Sequence, residues 1–270
     1  MLSLSLDSST TIRLLAFAVI VALIVSWEFL WPRRALRVSR LRRWPNNYGI
    51  SALNSVMLSL VLPVLAVGTA VWAERQGWGL FNQLALPAAV TIPAFVILFD
   101  LAIYWQHRLY HQIPWLWRLH RTHHADGDFD ASTGVRFHPL SILISMLIKI
   151  AIVLMLGPPA LAVLLAEIIL NVTAVFNHGN IYIPPSIDKK LRLLLVTPDM
   201  HRVHHSTIMV ETNSNFGFNF PWWDRLFGSY RESPDAGHEA MDIGVDSFAG
   251  EGEISIGAML SHPFRSVRPE

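Results

Sequence analysis

Eight histidines fall into three short clusters, and their spacing is the chemical signal of this chain. The first is His107-x-x-x-His111, the second His120-x-x-His123-His124, the third His201-x-x-His204-His205. Residues three and four apart share one face of a helix, so each cluster presents its imidazoles in one direction. Neutral imidazole is a ligand for zinc, copper, iron and nickel. At the composition of this chain, 12 histidines in 270 residues, an H-x-x-H-H pattern is expected roughly 0.02 times, and it occurs twice. Two further histidines need separate weighing. His138 sits in Arg136-Phe137-His138-Pro139 and His178 in Phe176-Asn177-His178-Gly179, each at an edge of an apolar run, where a ligand and a supporting role are both open. His238 and His262 lie in a polar tail and read as surface residues.

Eight to ten imidazoles exceed the three or four protein ligands of a zinc site and suit two metals. Soluble two-iron oxygenases use Glu and Glu-x-x-His on bundle helices, and no such motif is present. The chemistry that needs two redox metals beside a bilayer is oxygen activation against an unactivated C–H bond. A histidine-based metal transporter or sensor is the competing reading, but it predicts polar residues through the spans. A zinc hydrolase would need a general base such as Glu beside the clusters, and none is there.

The elements that must position these side chains are apolar. Hydrophobic residues make up 52% of the chain and charged residues 15%, too few charges to cover a water-soluble globule. Thr11–Trp31, Ile50–Trp72 and Leu84–Trp105 each meet the roughly 20 residues needed to cross a hydrocarbon core. Leu140–Leu156 and Ala160–Phe176 read as a hairpin turning at Gly157-Pro158-Pro159. The first run ends in Trp27, Phe29, Leu30 and Trp31, which argues against a cleaved signal peptide. Six arginines, Arg33, Arg34, Arg37, Arg40, Arg42 and Arg43, follow it without an acid, so this loop is expected on the cytoplasmic side. Alternating the spans from there puts every histidine from His107 to His205 on that same side.

The expected fold is therefore all-α, a multi-pass transmembrane bundle with a cytoplasmic histidine-rich helical cap. Residues 1–83 read as N-terminal membrane helices, 84–232 as the histidine domain, and 233–270 as a loosely structured polar tail. Ile187–Val196 reads as a helix on the membrane surface. Lys149 and Glu167 each lie nine residues from Pro158, so an intramembrane ion pair is expected, with Lys149 reaching alone to the interface as the alternative. Asp100, Asn177, Asp199 and Asp224 are candidates to hold the imidazoles, since ligating histidines donate their second N–H to a carboxylate or carbonyl. Ordinary cap or surface roles remain open for each. Trp105, Trp115, Trp117, Phe137, Trp222 and Trp223 line a lipid path or anchor at the interface. With a net charge of +1 there is no argument for nucleic acid, and with no cysteine there is no disulfide, thiolate zinc site or cysteine-ligated cluster.

These motifs resemble the fatty acid hydroxylase/sterol desaturase superfamily, the membrane histidine-box di-iron oxidases. The resemblance runs from about Phe99 to Tyr230. It rests on Tyr104-Trp105-Gln106-His107-Arg108-Leu109-Tyr110-His111, on Leu116-Trp117-Arg118-Leu119-His120-Arg121-Thr122-His123-His124 and on Arg136-Phe137-His138-Pro139 with Asn177-His178. It continues in Thr197-Pro198-Asp199-Met200-His201-Arg202-Val203-His204-His205 and Trp223-Asp224-Arg225-Leu226-Phe227-Gly228. It implies two iron ions, with zinc able to substitute on isolation. The ligands it implies are His107, His111, His120, His123, His124, His201, His204 and His205, completed by His138 and His178. It also implies a lipid substrate entering from the bilayer, O2, and a separate electron-donor protein, for which this chain carries no G-x-G-x-x-G or haem motif of its own.

Overall fold

Proline and glycine decide where the apolar runs start and stop. The structure, a computed structural model, describes residues 6–248 and 250–266. Eight helices come first: α1 (Leu6–Leu30), α2 (Arg40–Val61), α3 (Ala66–Gln76), α4 (Leu80–Gln83), α5 (Ala88–Gln112), α6 (Pro114–His124), α7 (Pro139–Leu156) and α8 (Ala160–Asn177). Six short ones follow: α9 (Pro185–Leu191), α10 (Pro198–His204), α11 (Met209–Thr212), α12 (Trp222–Leu226), α13 (Gly237–Ala240) and α14 (Ile256–Ser261). Among the described residues the only β pairing is two isolated bridges, Pro32 with Ile181 and Ser206 with Ile243. The chain is all-α.

Five stretches are long and apolar enough to cross a membrane: Ser9–Leu30, Arg40–Gln83, Ala88–Gln112, Pro139–Leu156 and Ala160–Asn177. The second differs from the expected Ile50–Trp72. It begins at Arg40 and breaks at 62–65, where Pro63 lacks an N–H and disfavours helix in the residue before it. The hairpin of α7 and α8 forms as expected. Pro139 opens α7, where a missing N–H costs nothing, and Gly157 closes it in the left-handed region at φ 61°. A Cβ on Gly157 would stand 2.3 Å from the Trp78 carbonyl oxygen, so this turn is pressed onto the 77–80 loop.

The middle of the bundle is α8. Over its apolar window 56% of residues are buried, against 11% for α1. Lipid tails are as apolar as leucine, so helices in a bilayer associate through close packing rather than through escape from water. Small residues allow that approach: Ala66 and Ala70 on α3 and Ala162 and Ala166 on α8 are buried one helical turn apart. Phe95 and Phe99 of α5 stack beside them with centroids 5.5 Å apart.

Polar groups inside the spans are paired differently from the sequence expectation. Glu167 meets Arg13 of α1 at 2.7 Å, not Lys149. Glu167 faces α1 while Lys149 faces α5, with its Nζ 5.9 Å from the centre of the Phe99 ring. At the end of α1, the buried Glu28 carboxylate accepts from the backbone N–H of Ala131 at 2.8 Å and of Asn180 at 2.9 Å.

The remaining corrections concern the cap. The arginine-rich loop is folded onto it: Arg33 pairs with Asp199, Arg37 with Asp242 and Arg43 with Asp126 and Asp130. The expected surface helix is shorter, ending at Leu191, where Arg192 turns back to pair with Asp188. Leu193 and Leu194 beyond it stand exposed. The tail is not loose. Phe248, Met259 and His262 are buried, and 259–265 packs along α6.

Candidate metal centre

Four helix ends converge where α5 meets the cap. The last turns of α5 carry His107 and His111. Ile113 alone separates α5 from α6, so the chain reverses at once and α6 brings back His120, His123 and His124. His178 caps the end of α8. Thr197 caps α10 by accepting from Met200 N, and Pro198 occupies its first position, which fixes the direction of His201, His204 and His205.

Nine imidazoles form two adjoining groups. One holds His107, His111, His120, His124 and His204; the other holds His123, His178, His201 and His205. Within each, one nitrogen per ring lies within 4.8 Å of all the others. A metal–imidazole bond is about 2.0–2.1 Å, so nitrogens on opposite sides of one ion stand about 4 Å apart. The groups touch through His124 and His205, whose rings stack at 4.4 Å and 16°.

The ring nitrogens test the fit to a metal. His107 Nδ1 lies 2.9 Å from the Phe216 carbonyl, His204 Nδ1 2.7 Å from that of Ser214 and His178 Nδ1 2.7 Å from that of Ala174. A carbonyl only accepts, so each Nδ1 carries the proton and each Nε2 turns a lone pair inward. Those Nε2 atoms meet other imidazole nitrogens: His107 with His120 at 3.0 Å, and His178 with both His123 and His201 at 3.1 Å. His204 Nε2 and both nitrogens of His124 and His205 are buried with no hydrogen-bond partner among the described residues. Buried polar nitrogens are costly when unmatched, and converging lone pairs are the donor set that a cation satisfies. Burial first, and crowding by neighbouring imidazoles second, push His120, His123, His124, His201 and His205 well below the usual histidine pKa. They are neutral at neutral pH, as ligands must be.

His138 is not brought to either group. Its Nδ1 accepts from Leu140 N at 3.2 Å, capping α7, and its Nε2 faces the Leu260 carbonyl at 3.4 Å. The proline that follows makes it a helix start, and its ring is used there. Asp100, Asp224, Asn177 and Asp199 touch no imidazole of the groups directly. Asp100 accepts from the N–H of Asn219 and Phe220 and from Trp223 Nε1, and Asp224 from Phe216 and Gly217 N–H and Ser229 Oγ. Together they hold the 216–224 loop, whose Phe216 carbonyl orients His107. Burial raises Asp224 to about 6 despite those donors. Asn177 Nδ2 donates to the Phe218 carbonyl of the same loop. Asp199 pairs with Arg33 and Arg202 and lies 3.8 Å from half-buried His238. His262, expected on the surface, is buried against Phe248 with ring centroids 4.4 Å apart.

Sequence reasoning missed the carbonyl acceptors, which leave no side-chain signature. It also missed a polar network behind α6. Arg43 and Asn47 reach Asp126, and Arg136 Nε donates to the Thr122 carbonyl at 2.9 Å. The run Asp126-Gly127-Asp128-Phe129-Asp130 directly after the second cluster was the available signal. Finally, a cavity of about 140 Å³ between α5, α7 and α8 opens onto His107 and His120.

A family model described as fatty acid hydroxylase matches residues 92–229, half of the chain, and contains all nine clustered imidazoles. The chain belongs to the fatty acid hydroxylase family. Curated relatives are similar at lower identity. A Rhizobium tropici protein, ornithine lipid hydroxylase OlsE, is 29% identical over 202 residues, 75% of this chain and 56% of its own length. Alkylglycerol monooxygenase of Xenopus tropicalis is 26% identical over 218 residues, 78% of this chain and 44% of its own. Cholesterol 25-hydroxylase of Rattus norvegicus is 26% identical over 160 residues, 58% of this chain and 52% of its own. The chain spans about half the length of the curated relatives it matches. No solved structure matches it.

Proposed function

We propose that this chain is a membrane oxidoreductase that hydroxylates or desaturates a lipid, using O2 and electrons from a separate donor protein. The observation that carries the reading is the pair of all-imidazole groups at the end of an apolar bundle, with a cavity leading to them from between the spans. The relatives named as lipid hydroxylases and monooxygenases support a lipid substrate.

In this reading His107, His111, His120, His124 and His204 hold one iron and His123, His178, His201 and His205 the other. Zinc is able to occupy the same nitrogens on isolation. The bound pair supplies the reductive activation of oxygen that an unactivated C–H bond requires. The protein's own part is placement. Carbonyls of Phe216, Ser214 and Ala174 hold ring protons away from the metals, and Phe137, stacked at 4.4 Å on His123, shields the centre on the cavity side. The arginine loop at 33–43 supports a cytoplasmic face for the cap.

The test is metal analysis of the purified chain together with lipidomics of cells with and without it. Two irons per chain and a lipid gaining one oxygen or losing two hydrogens are expected. A single zinc with hydrolysed lipid overturns the reading.

A further inference from the structure

We propose that Lys149 is the docking group for the anionic head of the lipid substrate, inside the cavity that leads to His107 and His120. This deepens the oxidase reading and rests on it.

The cavity has a polar side that the bilayer does not explain. Along α7, Ser141, Ser145 and Lys149 line it at intervals of four residues, one stripe of one helix face. Gln106 of α5 faces Ser145 and exchanges hydrogen bonds with it at 3.1 and 3.3 Å. Asn171 of α8 lines the same space. Polar side chains within a span are expensive in lipid and mark a pathway or a binding site.

Lys149 is the charge in this set. Among the described residues its Nζ has no hydrogen bond and no ion pair, and it stands 5.9 Å from the centre of the Phe99 ring. The carboxylate that acts on it electrostatically, Glu167, is in contact with Arg13 instead. Glu167 acts on Lys149 only from beyond ion-pair distance and is shared with Arg13, so the three groups together carry one excess positive charge beside the cavity. A half-buried ammonium within an apolar bundle is satisfied by an anion bearing oxygen acceptors.

The geometry gives the direction of the lipid. Ser141 is level with the histidine end and Lys149 lies eight residues further along α7, about 12 Å at 1.5 Å per residue. A head held at Lys149 therefore places a remote carbon of its chain, not the carbon beside the head, near His107 and His120. The cavity, about 140 Å³, takes only a segment of such a lipid. Carboxylate and phosphate heads share this chemistry, and the experiment separates them.

The experiment is displacement of a fluorescent fatty acid from the full-length chain, zinc-loaded so that nothing turns over, in detergent at mildly alkaline pH. The probes are a long-chain fatty acid, the alkyl phosphate and the alcohol of equal chain length. One anion at least is expected to displace at about tenfold lower concentration than the alcohol. Lys149→Met is expected to abolish that preference and leave alcohol binding unchanged, and Lys149→Arg to retain it. Whichever anion binds better identifies the head. Equal displacement by alcohol and both anions in the unsubstituted protein overturns the proposal, as does an undiminished preference in Lys149→Met. Because binding is read without turnover, a failed oxidase reading shows separately, in iron content and lipid products.

Discussion

Arg43 grips Asp126 through two parallel hydrogen bonds, Nε to Oδ1 at 2.9 Å and Nη2 to Oδ2 at 2.7 Å, with both side chains buried. Its third nitrogen reaches Asp130 at 2.6 Å. The pair ties α2 to the segment that leaves α6, just beyond His123 and His124. Removing one partner strands a buried charge, which costs about 3 kcal/mol or more. Asp126→Asn, which leaves Arg43 its second partner Asp130, is expected to lower the thermal midpoint of the solubilised protein, and Arg43→Met, which strands both carboxylates, to lower it further. Midpoints measured for both variants in one detergent check this.

The same pair sets an acid limit. Burial alone would raise the Asp126 carboxyl, but Arg43 and Arg136 overcome it and hold the group at about 2, below the ordinary 3.8. The unfolded carboxylate therefore binds a proton before the folded one does. Stability from this group is complete above about 4 and is lost as pH falls from there through about 2. Denaturation followed across that window is expected to show a steeper acid loss in the unsubstituted protein than in Asp126→Asn.

Asp100 touches no imidazole, yet its three donors come from the loop that orients His107. Supports of this kind change metal affinity about 10–100-fold. Asp100→Ala is expected to weaken metal binding by that factor while every histidine remains. Metal titration of the purified variant measures it, and unchanged affinity would remove the loop from the account.

His138 and His262 separate capping and packing from ligation. His138→Ala is expected to cost about 1 kcal/mol through the lost cap of α7 and to leave the metal count per chain unaltered. His262→Ala loses the Phe248 contact and the 3.1 Å partner Glu253, at about 2 kcal/mol. Loss of a metal ion in His138→Ala would return that residue to the ligand set.

What the sequence revealed and what it hid divide along the range of the interactions. The three clusters were readable because their spacing is that of a helix face, and the hairpin because Gly157-Pro158-Pro159 interrupts an apolar run. His178 was less plain, since it joins its group only through the packing of α8 beside α10. The partner of Glu167 was misjudged because depth along a span is set by residue count, while the facing helix is set by packing. The tail looked loose because its buried residues, Phe248, Met259 and His262, are scattered among glycines and acids. Their partners on α6 lie more than a hundred residues earlier in the chain.

That distance has a consequence for assembly. Arg121 donates to the carbonyls of His262 and Arg265, and Thr122 to that of Met259, so the helix bearing His120, His123 and His124 is backed by residues 137 to 144 positions further along the chain. All nine imidazoles have left the ribosome well before that backing exists. A metal ion acquired before residues 259–265 are in place would meet a half-supported cradle, so loading is expected to be completed only once they have packed. A fusion joined close behind residue 265 would interfere with it from the far side of the helix.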